Sequence, residues 1–150
     1  MLLKGSCHCK AVRFSVESET PYPYQACYCS ICRKTAGGGG YAINIMGKAD
    51  TLKVKGRTRI YHATRGGPDR HFCPKCGSAL WLWHRDWAQW IYPFASAIDT
   101  KLPAPKERFH VSLGSKASWV PVPKGRSERH FREFSKESII DWHRRRGLLR

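Results

Sequence analysis

Acidic residues are scarce in this chain. Eleven Asp and Glu face 27 Lys and Arg among 150 residues, a formal charge of +16 with the histidines neutral. That balance suits an anionic partner, an acidic small substrate or a merely soluble basic surface. Long apolar runs are missing as well: none approaches the roughly 20 residues that cross a bilayer, so no membrane span is expected. Met1-Leu2-Leu3-Lys4-Gly5 lacks the extended apolar stretch of a secretory leader. A reducing, cytoplasmic setting is the expectation that follows. An eighth cysteine is also lacking. Seven thiols cannot all pair, and a C-x-C loop is too short for an unstrained disulfide. In a reducing compartment clustered cysteines point to metal.

No repeat or long linker divides the chain. A single domain over residues 1–150 is expected, with a motif core over 5–120 and a basic C-terminal extension over 124–150. Six Trp, six Tyr and six Phe favour a packed, strand-rich fold. Alternation predicts strands at Ala11–Glu17, Tyr41–Met46 and Trp90–Phe94. Shorter candidates lie at Thr51–Lys55, at Thr58–His62 (joined to the former by Gly56-Arg57) and at Ser78–Trp83. Gly37-Gly38-Gly39-Gly40 reads as a flexible turn or a close approach to a ligand. Ser135 is placed to cap one helix ending near Gly147, with Glu137 early and Arg144, Arg145 and Arg146 late, as the helix dipole favours. Many short strands at this spacing predict a mainly β fold of small antiparallel sheets, sandwich-like or half-barrel-like, with a short C-terminal helix.

The cysteines form two complementary groups. Cys73-Pro74-Lys75-Cys76-Gly77 has the two-residue spacing of a zinc knuckle, and Gly77 permits its turn. Cys7 and Cys9, at i and i+2, would share one face of a strand and supply the other half of a four-thiolate site. His8 between them should then point away. Cys27, Cys29 and Cys32 form a second, three-thiolate cluster. Water, a substrate thiol or a histidine could fill its fourth position; His62, His71 and His84 are candidates, although no spacing singles them out. The alternatives are an iron–sulfur cluster, whose usual spacings differ from these, and a second zinc that is purely structural.

Three thiolates make zinc a weak Lewis acid but a good host for a fourth sulfur. A thiol entering that position loses its proton and becomes a nucleophile for a carbonyl. Arg33 and Lys34, directly after Cys32, are candidates to contact an anionic thiol, or they are an ordinary solvated pair.

These residues resemble the glutathione-dependent formaldehyde-activating enzyme family, which also includes centromere protein V. The matching pieces are Gly5-Ser6-Cys7-His8-Cys9 with Val12, Cys27-Tyr28-Cys29-Ser30-Ile31-Cys32-Arg33-Lys34, and Phe72-Cys73-Pro74-Lys75-Cys76-Gly77-Ser78-Ala79-Leu80, with Lys116-Ala117-Ser118-Trp119 similar to a later family segment. The resemblance implies a zinc-bearing β-tent with two zinc ions per chain: a structural one on Cys7, Cys9, Cys73 and Cys76, and a catalytic one on Cys27, Cys29 and Cys32. It implies a carbon–sulfur lyase-type reaction joining glutathione and formaldehyde into S-hydroxymethylglutathione. Tyr28 stands where the family often has histidine, and Lys10 where it often has glycine; neither change removes a ligand.

The competing function is a zinc-stabilised module that binds nucleic acid or another polyanion without catalysis. Residues 124–150 carry nine Lys/Arg against four Asp/Glu. No nucleic-acid-reading motif accompanies them, and the acids are interleaved.

Overall fold

Alternation builds the first sheet of the computed structural model, which describes residues 1–150. Strand β1 (Leu2–Ser6) pairs antiparallel with β2 (Arg13–Glu17), placing Leu3 opposite Val16 and Gly5 opposite Phe14 on the inner face. The chain continues through β3 (Gln25–Cys27), helix α1 (Ser30–Thr35), β4 (Ala42–Ile43), β5 (Gly47–Lys48), β6 (Lys53–Lys55), β7 (Arg59–Tyr61), β8 (Asp69–Phe72), β9 (Ala79–Trp83), β10 (Trp90–Pro93), β11 (Arg108–Val111), β12 (Glu128–His130) and helix α2 (Ile139–Arg145).

Three small sheets result. The first has the order β1-β2-β6 and the second β5-β10-β9-β8-β7, both antiparallel. The third, β12-β11-β3-β4, is mixed, because β11 runs parallel to both β3 and β12. The fold is mainly β as expected, and the all-antiparallel expectation holds for two sheets of three. Strands of two to four residues, as in this sheet, are too short to carry an alternation that shows their direction.

The sheets meet on one core. Leu3, Phe14 and Val16 come from the first, Leu80, Trp81 and Ile91 from the second, and Phe109 and Val111 from the third. Trp142 of α2 completes it: fully buried, it stacks on Tyr24 with ring centroids 3.7 Å apart and planes at 7°. Its Nε1 donates to the Glu107 carboxylate at 3.2 Å. Burying a ring of that size is worth on the order of 5 kcal/mol in apolar surface alone.

Three local expectations shift. Tyr41–Met46 does not remain one strand. Ala42 and Ile43 pair with β3, whereas Gly47 and Lys48 pair with β10 in another sheet. Gly47 lets this crossing lie tight on β2, since a Cβ there would sit 2.8 Å from Val16 Cγ2. The segments flanking Gly56-Arg57 form no hairpin: β6 joins β2, and β7 joins β8. Finally, Ser138 rather than Ser135 caps α2, its Oγ accepting from Asp141 N at 3.2 Å. Ser135 accepts from Glu137 N in the turn before. The far end closes as foreseen at Gly147 (φ +64), with Leu148 N bonded to His143 O and Gly147 N to Arg144 O, the paired bonds of a Schellman motif.

Candidate metal centres

The four-cysteine group assembles from two turns. Cys7 follows β1, and its Sγ accepts from Val12 N at 3.2 Å. Lys10 N closes the loop onto Cys7 O at 3.0 Å. Lys10 takes a left-handed backbone (φ 61), which explains why glycine is favoured there; the left-handed region costs a residue with a Cβ about 1 kcal/mol. The other turn joins β8 to β9. Gly77 N donates to Cys73 O at 2.9 Å, with Gly77 at φ +73. All four sulfurs lie within 4.8 Å of one another, with Cys7–Cys9 at 3.5 Å and Cys9–Cys73 at 3.8 Å. Tetrahedral zinc with bonds of about 2.3 Å spaces its sulfurs about 3.8 Å apart, so this donor set fits that ion. Cys7 and Cys73 are buried, and the cluster ties the N-terminal strand to the middle of the chain.

The three-cysteine group sits where β3 runs into α1. Cys27 ends the strand, Cys29 is the helix N-cap, and Cys32 lies in the first turn with its N–H on Cys29 Sγ at 3.3 Å. The helix therefore forms around a sulfur cap. The three thiols hydrogen-bond to one another and favour the thiolate at Cys29. Hydrogen bonds from Cys27 and Cys32, reinforced by helix N–H groups, hold Cys29 down at about 2. Donating to Cys29 pushes the Cys27 thiol up, and hydrogen bonds to Cys27 and Cys29 together with burial raise Cys32. A divalent cation would replace those two protons with its own charge, which is the chemistry of a zinc–thiolate site.

No histidine or carboxylate joins either cluster. His62 bonds Asp69 at 2.6 Å, His71 bonds Thr58 Oγ1 at 2.9 Å, and His84 bonds Gly66 O at 2.8 Å. His8 is exposed and outside the four-sulfur group.

Two neighbours of the triad were not legible in the sequence. Ser112 lies 3.9 Å from Cys27 Sγ and holds a left-handed backbone (φ 58), a strained conformation for a buried serine. Tyr28 is buried between two ligand positions but packs in a separate small cluster with Ala26 and Val120. Its hydroxyl meets His110 Nδ1 at 2.9 Å, and His110 Nε2 meets Glu128 at 2.6 Å. The residue that departs from the family pattern therefore anchors the loop from behind.

Cys27 and Cys32 open on a pocket of about 380 Å³. Arg70, Leu82 and Tyr92, which share a cross-strand row on β8, β9 and β10, form one wall. Trp87, set edge-on to Tyr92 at 4.9 Å, Phe134 and Ile139 complete the apolar lining. Arg33 and Lys34 are elsewhere. They line a larger groove of about 800 Å³ beside Cys7, Cys76 and Ser78. The sulfurs of each group thus converge, in two separate clusters, and Arg70 lines the pocket beside Cys27 and Cys32 while Arg33 and Lys34 line the other groove. The basic C-terminal run is largely neutralised: Arg144 pairs with Asp141, Arg145 with Glu137 at 2.8 Å, and Arg146 with Glu107.

Against known proteins, the family model described as glutathione-dependent formaldehyde-activating enzyme matches residues 2–113, a span that holds all seven cysteines. The chain belongs to this family. A Halomonas elongata protein, provisionally named a glutathione-dependent formaldehyde-activating enzyme, is 54% identical over 154 residues, covering 99% of this chain and 98% of its own. A crystal structure of a Rhodobacter sphaeroides protein superposes with a TM-score of 0.55 at 26% identity, covering 67% of this chain and 91% of that one. Phe134 and Ile139, which close the pocket of the triad, lie beyond the segment matched by the family model.

Proposed function

We propose that this protein joins glutathione and formaldehyde into S-hydroxymethylglutathione, with one zinc held by Cys27, Cys29 and Cys32 and a second, structural zinc held by Cys7, Cys9, Cys73 and Cys76. The observation that carries this reading is the triad itself: three converging sulfurs, without a fourth protein ligand, at the wall of a pocket of small-molecule size. Zinc bound there would supply the charge that makes an incoming thiol a thiolate at neutral pH. In the net step the sulfur forms a bond to the carbonyl carbon, the C=O π pair moves to oxygen, and the thiol's proton ends on the new hydroxyl. Nothing is oxidised or reduced.

The chain's own residues bind, orient and exclude water. Trp87, Tyr92, Phe134 and Ile139 give the pocket apolar walls. Burial raises Tyr92 above its ordinary value, so it remains an O–H donor at neutral pH, suited to the developing oxyanion. Arg33 and Lys34, away from that pocket, contribute to the positive field that draws an anionic thiol inward. Seven unpaired thiols suit a reducing, cytoplasmic compartment.

Zinc stoichiometry measured alongside glutathione binding tests this reading. Cys29→Ala should lower two zinc ions to one, abolish glutathione binding and keep the fold. Retained glutathione binding, or global unfolding, would overturn it.

A second reading, polyanion binding, has a specific observation behind it. Lys4, Arg13, Lys53 and Lys55 share the outer face of the first sheet, with Arg13 directly opposite Lys55. Like charges so placed repel, and a bound polyanion relieves them. Binding that is absent at low salt would dismiss it.

A further inference from the structure

The pocket beside the three-cysteine cluster carries a cation that the fold leaves unused. Arg70 Nε and Nη1 are both buried, and neither has a protein hydrogen-bond acceptor. No Asp or Glu lines the pocket, and the adjacent acid, Asp69, is bonded to His62. Arg70 as a whole is half-buried, but N–H groups buried without an acceptor cost free energy that a ligand oxygen would restore. Arg33 Nε is also buried without an acceptor, but Arg70 is the arginine with two such nitrogens, whereas the half-buried Arg146 meets Glu107.

The position of Arg70 is fixed by its strand. It stands between Tyr61 of β7 and Leu82 of β9 in the register, and Tyr92 continues the row on β10. Cys27 and Cys32 line the same pocket. A ligand in this pocket therefore meets soft sulfur chemistry, an arginine with unpaired N–H groups and apolar side chains together. That pattern selects a thiol that also bears a carboxylate. Arg is the side chain suited to the carboxylate, because its charged N–H donors match carboxylate geometry.

We propose that Arg70 forms a carboxylate-binding subsite, which receives an anionic end of the thiol substrate while its sulfur lies against Cys27 and Cys32. This rests on the thiol-substrate reading above and adds where the substrate's charge is held. It assigns Arg70 a binding and positioning role.

Calorimetry on the zinc-loaded protein tests the subsite with two probes, glutathione and glutathione diethyl ester, whose carboxylates are masked. Arg70→Leu should weaken glutathione binding about 10- to 100-fold, the scale of a charge-assisted hydrogen-bonded contact. It should change diester binding less than about threefold. Arg70→Lys should recover part of the loss. Without ligand, Arg70→Leu should melt at or above the wild-type temperature with both zinc ions retained, because it removes N–H groups buried without an acceptor. Equal loss for both probes would overturn the proposal, as would unchanged glutathione affinity or a variant that fails to fold in both the Leu and Lys forms. If the wild type itself does not bind glutathione, the thiol reading falls and the subsite falls with it. Wild-type binding that Arg70→Leu leaves intact removes the subsite alone.

Discussion

Tyr28 shows how one side chain can lie next to two ligands in sequence and stay out of their chemistry. Successive residues of an extended segment face opposite ways, so Cys27 points to its pocket while Tyr28 points to His110. Burial, the first cause, raises the Tyr28 hydroxyl to about 12, and it acts there as a hydrogen-bond donor. Tyr28→Phe strands a buried imidazole nitrogen and should cost about 1–3 kcal/mol in chemical denaturation. Glutathione affinity should change less than twofold, and a large loss of affinity would show that Tyr28 reaches the pocket after all. At this scale the sulfur partition was legible because ligand spacing is local: two residues apart on a strand, three apart across a knuckle. Arg70 was not legible. A lone arginine in a short polar strand looks like surface, and only the long-range pairing of β8 with β9 and of β9 with β10 sets it in the pocket wall.

The C-terminal helix illustrates how an element is held by more than its own periodicity. His143 is fully buried; its Nδ1–H donates to Ile139 O at 2.8 Å, and its Nε2 accepts from Tyr22 N–H at 3.3 Å. A second proton on Nε2 would face a donor, and burial, opposed by the Ile139 bond, lowers its pKa below the ordinary value. The folded value being the lower, this contribution is complete above the unfolded value of about 6.5 and is lost as pH falls through it toward the folded value. At saturating zinc, the wild-type melting temperature should therefore drop more between pH 7.5 and 5.5 than that of His143→Gln; parallel slopes would contradict the assignment. The same helix marks the limits of reading elements from sequence. Its apolar face, dipole charges and Gly147 stop were plain, while two serines three residues apart competed for the cap, and tertiary packing of Trp142 on Tyr24 selected Ser138. Tyr41–Met46 failed as one strand for a related reason. Alternation survives a change of sheet, so periodicity cannot show where Ile45 leaves β3 and bonds Pro93 O.

Across the whole molecule, the two clusters differ in position. The four-sulfur group joins β1 to the β8–β9 turn across a long sequence separation, so it constrains the core. The three-sulfur group is local, spanning the β3–α1 junction, and opens on a pocket lined from the second sheet and by Phe134 and Ile139. The basic excess is likewise divided: Arg144, Arg145 and Arg146 meet carboxylates of this chain, while Arg13 and Lys55 stand opposite each other on the outer face of the first sheet. No helix is long and apolar enough to cross a membrane. The central claim is this division between a metal that holds the fold and a metal that meets substrate. Stepwise chelation, followed by zinc release, far-ultraviolet circular dichroism and glutathione binding on one sample, tests it directly. The account predicts that the first zinc to leave takes glutathione binding with it and leaves the fold intact, and that loss of the second unfolds the chain, since a structural zinc contributes on the order of 10 kcal/mol to folding. Both ions leaving together with the fold, or glutathione binding that survives loss of the first, would contradict it.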